Sequence, residues 1–276
     1  MKITNTTGLP APIVAACTPY PPTPGRYSVT ELVGPPMIGR LRRERWADIE
    51  EDAADRLWAI MGSAMHAILA GHAEVNALSE ERLAIIVNSE TTISGQPDLY
   101  TADGILWDYK FTTVYAHGEP IKPEWVGQLN IYAHLLRAHG FSVTGARVAC
   151  VYRDWSKRHE MQGIPRASVV EVPLMAPEDA AAFMLERLAI HQAATVEPCT
   201  PAERWTKPAV FAVMKTGRKS AMRLLPTEAE AEAWMAANGG THIEARPGED
   251  TRCLGYCPVR QWCPYGATLT PVEAAE

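Results

Sequence analysis

The chain lacks any apolar run near the roughly eighteen residues that a membrane-crossing helix needs. Its opening residues, MKITNTTGLPAP, carry neither the basic flank nor the apolar stretch of an export signal. A membrane span and secretion are therefore not expected, and a cytoplasmic location is. There is no excess of positive charge. Lys and Arg number 26 against 32 Asp and Glu, a net charge of −6, so global charge gives no affinity for polyanions. Any nucleic-acid contact has to rest on local basic patches. Internal repeats are absent, and so is the paired C-x-x-C pattern of an ordinary zinc ribbon. Nor is the composition that of a disordered chain, with 47% apolar and 21% charged residues. A length of 276 residues suits one large domain, or a domain with a satellite.

Six cysteines are present without an export signal, which favours a metal or cluster site over disulfides. Cys17 and Cys150 stand alone. Cys253, Cys257 and Cys263 crowd together near the C-terminus, with Cys199 upstream.

Residues 1–25 hold six prolines and little periodicity, so 1–27 reads as an extended arm. Ser28-Val-Thr-Glu31 is a capping-box pattern opening a short helix, which Pro35-Pro36 ends. The run 39–45, GRLRRER, is densely basic. Leu57, Ile60, Met61, Ala64, Met65 and Ile68 recur every three or four residues, predicting an amphipathic helix over 52–73 that packs into the core. LAIIVN (83–88), TTISGQPDLY (91–100) and GILWDYKF (104–111) predict three successive strands. A helix from Pro123 to about His139, strands at 146–152 and 167–174, and a helix over 177–194 follow. Cys150 falls in one of these core strands. The expected core is thus mixed α/β and spans residues 28–198. From Cys199 to residue 265 the texture changes. A basic ββαβ insert is expected at 200–250, with the three clustered cysteines after it and a tail over 266–276.

The sharpest signal is Gly95-Gln-Pro-Asp98 followed by Asp108-Tyr109-Lys110. A three-residue hairpin loop with Gly104 in the left-handed region pairs 101 with 105, and so Asp98 with Asp108. Strand alternation then adds Lys110 to the same face and leaves Ile105, Trp107, Tyr109 and Phe111 for the core. A two-residue Asp-Gly turn would slip the register and separate the acids. Adjacent carboxylates repel unless a cation lies between them, and oxygen ligands suit Mg²⁺ or Mn²⁺. Such an ion activates water and offsets charge at a phosphoryl centre. A lysine two residues on can orient that water. Taken alone, the hairpin also fits a solvated face with a surface Asp–Lys pair.

Two further pairs accompany it. Gln128 and Tyr132 share one helix face, and His66 lies four residues after Gly62, where a glycine leaves room for close approach. In this order and spacing, G-x-x-x-H, G-x-x-D, D-x-K and Q-x-x-x-Y closely resemble the RecB-like branch of the PD-(D/E)XK nucleases over residues 28–175. The resemblance implies a restriction-endonuclease-like fold, a mixed β-sheet flanked by helices. It implies Asp98, Asp108, His66 and the Tyr109 carbonyl as metal ligands. Lys110 would position the attacking water and stabilise the transition state, with Gln128 and Tyr132 orienting it or contacting the nucleic-acid backbone. Glu81 is a further candidate acid, but Glu80 is equally placed, and the two read better as a surface pair.

The cysteine pattern is similar to the [4Fe–4S] staple of AddB-type and CRISPR-associated RecB-like nucleases, with Zn²⁺ the alternative. Those families place the solitary cysteine after the first short helix. Here that place holds Pro35-Pro36, so Cys199 is the expected fourth ligand to Cys253, Cys257 and Cys263, with Cys17 in reserve. Lys215, Arg218 and Lys219 at a hairpin tip suit either a grip on a phosphate backbone or a solvated turn. The implied function is an Mg²⁺- or Mn²⁺-dependent DNA exonuclease. It would act on linear ends or single strands in recombination or repair, as the phage recombination exonucleases do. Implied partners are DNA and a recombination annealing, repair or adaptation protein, with a homo-oligomer compatible. The competing readings are a non-catalytic or partner-activated DNA-binding subunit and a site-specific endonuclease.

Overall fold

Helix and strand boundaries follow the capping and breaking residues. In the computed structural model, which describes residues 1–270, the chain divides into two units, 1–196 and 197 onward. The first begins with β1 (Lys2–Thr4), α1 (Ala11–Cys17), β2 (Arg26–Ser28), α2 (Val29–Val33), α3 (Pro36–Glu44) and β3 (Glu50–Asp52). Next come α4 (Leu57–Ala70), β4 (Leu78–Ser79), β5 (Leu83–Asn88), β6 (Thr91–Gly95), β7 (Leu99–Tyr100) and β8 (Ile105–Thr112). The unit closes with α5 (Pro123–Ala138), β9 (Gly145–Tyr152), α6 (Lys157–Met161), β10 (Ala167–Val172) and α7 (Pro177–Gln192). Ser28 caps α2 by accepting from the Glu31 amide, while the Glu31 carboxylate turns away to Arg43. Pro36 then starts α3, its missing N–H costing nothing in a first turn.

The main sheet has the order β10-β9-β8-β7-β4. β8 and β9 run parallel and are joined through α5, whereas β7–β8 and β9–β10 are antiparallel. Leu106 and Val148 of the sheet, Leu129, Ile131, Leu135 and Leu136 of α5, and Leu32 of α2 are buried together. Each such side chain contributes about 1.5–3 kcal/mol on leaving water. This mixed α/β arrangement is consistent with a restriction-endonuclease-like core. Among the described residues, no helix is long and apolar enough to cross a membrane.

Several expectations are corrected. Residues 1–27 are not extended throughout. β1 pairs with β3, α1 forms over Ala11–Cys17, and Asp52 accepts from the Thr6 amide at 2.8 Å. Long-range pairing to residues 50–52 ordered a segment whose local pattern was only proline-rich. The strand expected over 91–100 breaks at Gln96-Pro97-Asp98. β6 joins a separate sheet of order β2-β6-β5, and β7 pairs with β8. α4 forms but contributes no buried residue, and Trp58, Met61 and Ile68 are exposed. It meets the sheet at β8. Nothing lies within 4 Å of where a side chain on Gly62 would begin, so that glycine serves no close approach. On β8 the fully buried face is that of Leu106 and Asp108, under α5, while Ile105, Trp107, Tyr109 and Phe111 are half-buried.

The second unit contains α8 (Pro201–Arg204), β11 (Thr206–Lys207), β12 (Val210–Met214), β13 (Arg223–Leu225), α9 (Glu228–Asn238), β14 (His242–Arg246), β15 (Glu249–Asp250) and α10 (Thr251–Gly255). β12 is central in an antiparallel sheet of order β13-β12-β14, and α9 packs on it. All six cysteines are free, so no disulfide staples the chain. The last part of the expected 266–276 tail, residues 271–276, lies outside the described residues.

Candidate metal centre and catalytic cleft

The hairpin between β7 and β8 sets the site. Gly104 takes φ +84°, and the Thr101 amide donates to the Ile105 carbonyl at 3.0 Å. Leu99 opposes Trp107 and Tyr100 opposes Leu106, which brings Asp98 opposite Asp108. The break after β6 places Asp98 at the sheet's mouth. Gly95 is needed just before it. A Cβ there would come within 2.6 Å of the Tyr132 ring, 2.7 Å of Val29 and 2.9 Å of Leu135.

Around these acids lies a cleft of about 670 Å³, lined by His66 from α4, Glu80, Gln96, Asp98, Asp108, Lys110, and Gln128 and Tyr132 from α5. His66 Nδ1 lies 3.0 Å from Glu80 Oε1 and 3.3 Å from Asp98 Oδ1. One ligand atom from each of these three residues falls within 4.8 Å of the other two. Asp98 Oδ2 accepts from the Tyr109 amide at 2.6 Å. Tyr109 thus enters the site through its backbone. Lys110 Nζ sits 2.8 Å from Asp108 Oδ2 and donates to Gln128 Oε1 at 3.2 Å, and Gln128 Nε2 donates to the Tyr132 hydroxyl at 3.3 Å. Asp98, Asp108, Lys110, Gln128, Tyr132 and His66 are therefore gathered in one cleft.

Glu80 is the residue that sequence reasoning undervalued. It belongs to the cleft, whereas Glu81 is exposed and outside its lining. Its φ of +54° is rare for a non-glycine residue and marks a backbone held by its surroundings. Those surroundings are the Pro97 and Asp98 carbonyls at 3.2 and 3.3 Å from its amide, and Gln96, which donates to its carboxylate at 2.7 Å. An E-E pair beside a strand looks like surface, and only the broken strand shows which acid turns inward.

Charge is concentrated, with three carboxylates set against Lys110 and His66. Asp108 is 1% exposed, and its carboxylate pairs with Lys110 at 2.8 Å. Burial first, and the Asp98 charge with it, push Asp108 up to about 6 against the pull of Lys110. The hydrogen bond to Asp98, reinforced by Glu80, pushes His66 up to about 9 despite burial. Two buried acids side by side suit a hard divalent cation. His66, Glu80 and Asp98 bring imidazole and carboxylate donors together, and Asp108 lines the same cleft.

A family model described as the PD-(D/E)XK nuclease superfamily matches residues 37–264. The chain belongs to the PD-(D/E)XK nuclease superfamily. Two solved structures resemble this nuclease. The crystal structure of SSO0001 is 17% identical, covering 67% of this chain and 82% of its own, with a TM-score of 0.47. The alkaline exonuclease LHK-Exo from Laribacter hongkongensis is 12% identical, covering 61% of this chain and 90% of its own, with a TM-score of 0.36. No curated protein matches the nuclease by sequence.

In the second unit, the four clustered cysteines share a neighbourhood. Burial pushes Cys199 up to about 12, with Glu203, Cys263, Cys257 and Cys253 adding to the rise. No three of these thiols converge as tightly as the His66–Glu80–Asp98 group. Arg204 donates to the Cys199 carbonyl and pairs with Asp250 at 3.2 Å, joining the Cys199 segment to the residues just before Cys253. Cys17 belongs to the first unit, where its buried thiol donates to the Ala53 carbonyl at 3.2 Å. Lys215, Arg218 and Lys219 are exposed in the connection from β12 to β13, with Gly217 at φ +86°.

Proposed function

We propose that this nuclease is an Mg²⁺- or Mn²⁺-dependent deoxyribonuclease of the RecB-like branch, working as an exonuclease on DNA ends or single strands in recombination or repair. The observation that carries this reading is the Asp108 carboxylate, buried opposite Asp98 and ion-paired with Lys110 at 2.8 Å. Asp98, Asp108, His66 and Glu80 would hold the cation. When bound, it supplies an activated water and offsets charge on the phosphoryl group. Lys110, steadied by Gln128 and through it by Tyr132, orients the water and the phosphoryl oxygens. The Tyr109 amide fixes the Asp98 carboxylate for its ligand role.

The second unit is read as a cysteine-held cofactor site with Cys199, Cys253, Cys257 and Cys263 as ligands. A [4Fe–4S] cluster is the cofactor proposed for it, with Zn²⁺ the alternative. Lys215, Arg218 and Lys219 suit a grip on the DNA backbone.

Cleavage of end-labelled linear DNA, compared with covalently closed circles in Mg²⁺ or Mn²⁺, tests the reading. Linear DNA alone is expected to be degraded, and Lys110→Ala should slow it about a hundred-fold or more. Cutting of circles would replace the exonuclease with an endonuclease. No cleavage by folded, metal-replete protein would leave only a binding or partner-activated role.

A further inference from the structure

A second cavity, of about 360 Å³, adjoins the catalytic cleft and shares Ser28 and Thr30 with it. α3 and the segment before β2 wall it, with Tyr20, Arg42 and Trp46 among its lining. Three arginines of α3 meet different fates. Arg40 binds Glu44 at 2.8 Å and the Ala194 carbonyl at 2.8 Å. Arg43 grips Glu31 through two nitrogens at 2.6 and 2.7 Å. Arg42 makes no hydrogen bond or ion pair among the described residues, although it is partly buried and its guanidinium lies 5.4 Å from the Trp46 ring centre.

The acids that act on Arg42, Glu51 and Glu31, are already engaged by Arg56 at 2.6 Å and by Arg43. A half-buried guanidinium with five donors and none of them engaged by the described residues suits an oxyanion. Trp46 offers a flat surface beside that charge, and Tyr20 stands almost fully exposed at the same cavity. A cation for an oxyanion and aromatic rings for a base are together what a nucleotide requires.

We propose that this cavity is a nucleoside-phosphate subsite. It takes the nucleotide of the DNA strand adjoining the scissile phosphate, with phosphate oxygens on Arg42 and the base against Trp46 and Tyr20. The assignment rests on the nuclease reading but is tested apart from cleavage. Binding of a fluorescein-labelled tetrathymidylate to the full chain is read by anisotropy in Ca²⁺, using 5′-phosphate and 5′-hydroxyl forms. Arg42→Ala and Arg42→Gln should each weaken binding about ten-fold, while Arg45→Ala, an exposed neighbour, should not. Loss confined to the 5′-phosphate form assigns a terminal phosphate, and loss with both forms assigns an internal one. On the wild-type chain, which needs no variant to fold, the oligonucleotide should block phenylglyoxal modification of Arg42 but not of Arg45. Unchanged binding in both Arg42 variants, equal loss with Arg45→Ala, or no protection would overturn the subsite. A chain that binds through Arg42 yet cuts nothing keeps the subsite and loses the nuclease reading, and active protein indifferent to Arg42 does the reverse.

Discussion

At Asp108 the chain trades stability for chemistry. A carboxylate that is 1% exposed and faces Asp98 is costly even with Lys110 at 2.8 Å, and a further cation in the pocket offsets that cost. Asp108→Asn removes the like-charge repulsion while keeping the shape. It should raise the melting temperature of metal-free protein, by the equivalent of about 1–2 kcal/mol, and abolish cleavage. Mn²⁺ should raise the wild-type melting temperature through mass action and leave Asp108→Asn unmoved. Thermal unfolding with EDTA and with Mn²⁺ checks both, and a destabilised Asp108→Asn would show that Lys110 alone compensates the charge. At this scale most of the site was legible, because Asp98, Asp108, Lys110, Gln128 and Tyr132 are tied by hairpin register and helix spacing, both local rules. Glu80 was not, since its inward turn depends on the Pro97 and Asp98 carbonyls across the strand break.

Among elements, the N-terminal segment shows where pattern reading stops. Besides strand pairing and the Lys2–Glu50 ion pair, Asp52 clasps β1 and the residues just after it. The Thr6 and Ala54 amides, then the Thr4 and Thr6 hydroxyls, bond to Asp52 and lower it from 3.8 to about 2. A depressed carboxylate contributes stability that is complete above its unfolded value and lost as pH falls through the folded one. The clasp should therefore be intact above about pH 4 and released as pH drops through about 2. The Thr6 amide proton, followed by NMR, should titrate with that low midpoint. Asp52→Asn should abolish the titration and loosen residues 1–8 at neutral pH, and an ordinary carboxylate midpoint would refute the clasp. The β7–β8 hairpin, α5 and the β12–β14 sheet were legible because capping, turn and alternation signals agree there. The depth of α4 was not. An apolar stripe fixes a helix but not what covers it, and here Trp58, Met61 and Ile68 stay exposed. The strand through residues 91–100 read as continuous because nothing local reveals that β6 and β7 belong to different sheets.

For the molecule as a whole, two donor chemistries are kept in separate units. The first offers carboxylates and an imidazole, suited to Mg²⁺ or Mn²⁺, and the second offers four thiols, suited to softer metals. Burial raises the Cys199, Cys253 and Cys257 thiols, so a metal bound there would displace their protons and its binding would couple to folding of the second unit. Full-length protein purified without oxygen should be amber and carry iron and acid-labile sulfide in equal amounts. Cys263→Ser should lose both and lower the unfolding temperature of the second unit. Its first unit should still gain stability from Mn²⁺, because none of that ion's ligands is a thiol. One zinc per chain and no sulfide would replace the cluster with a zinc site. Retention of full iron content by Cys199→Ser, together with its loss in Cys17→Ser, would move the fourth ligand to the first unit. That result would contradict the placement of Cys199, whose carbonyl Arg204 ties to Asp250 within three residues of Cys253. Iron content of these three serine variants, measured beside the wild type, therefore decides the identity of the cofactor and the chain segment that closes its site.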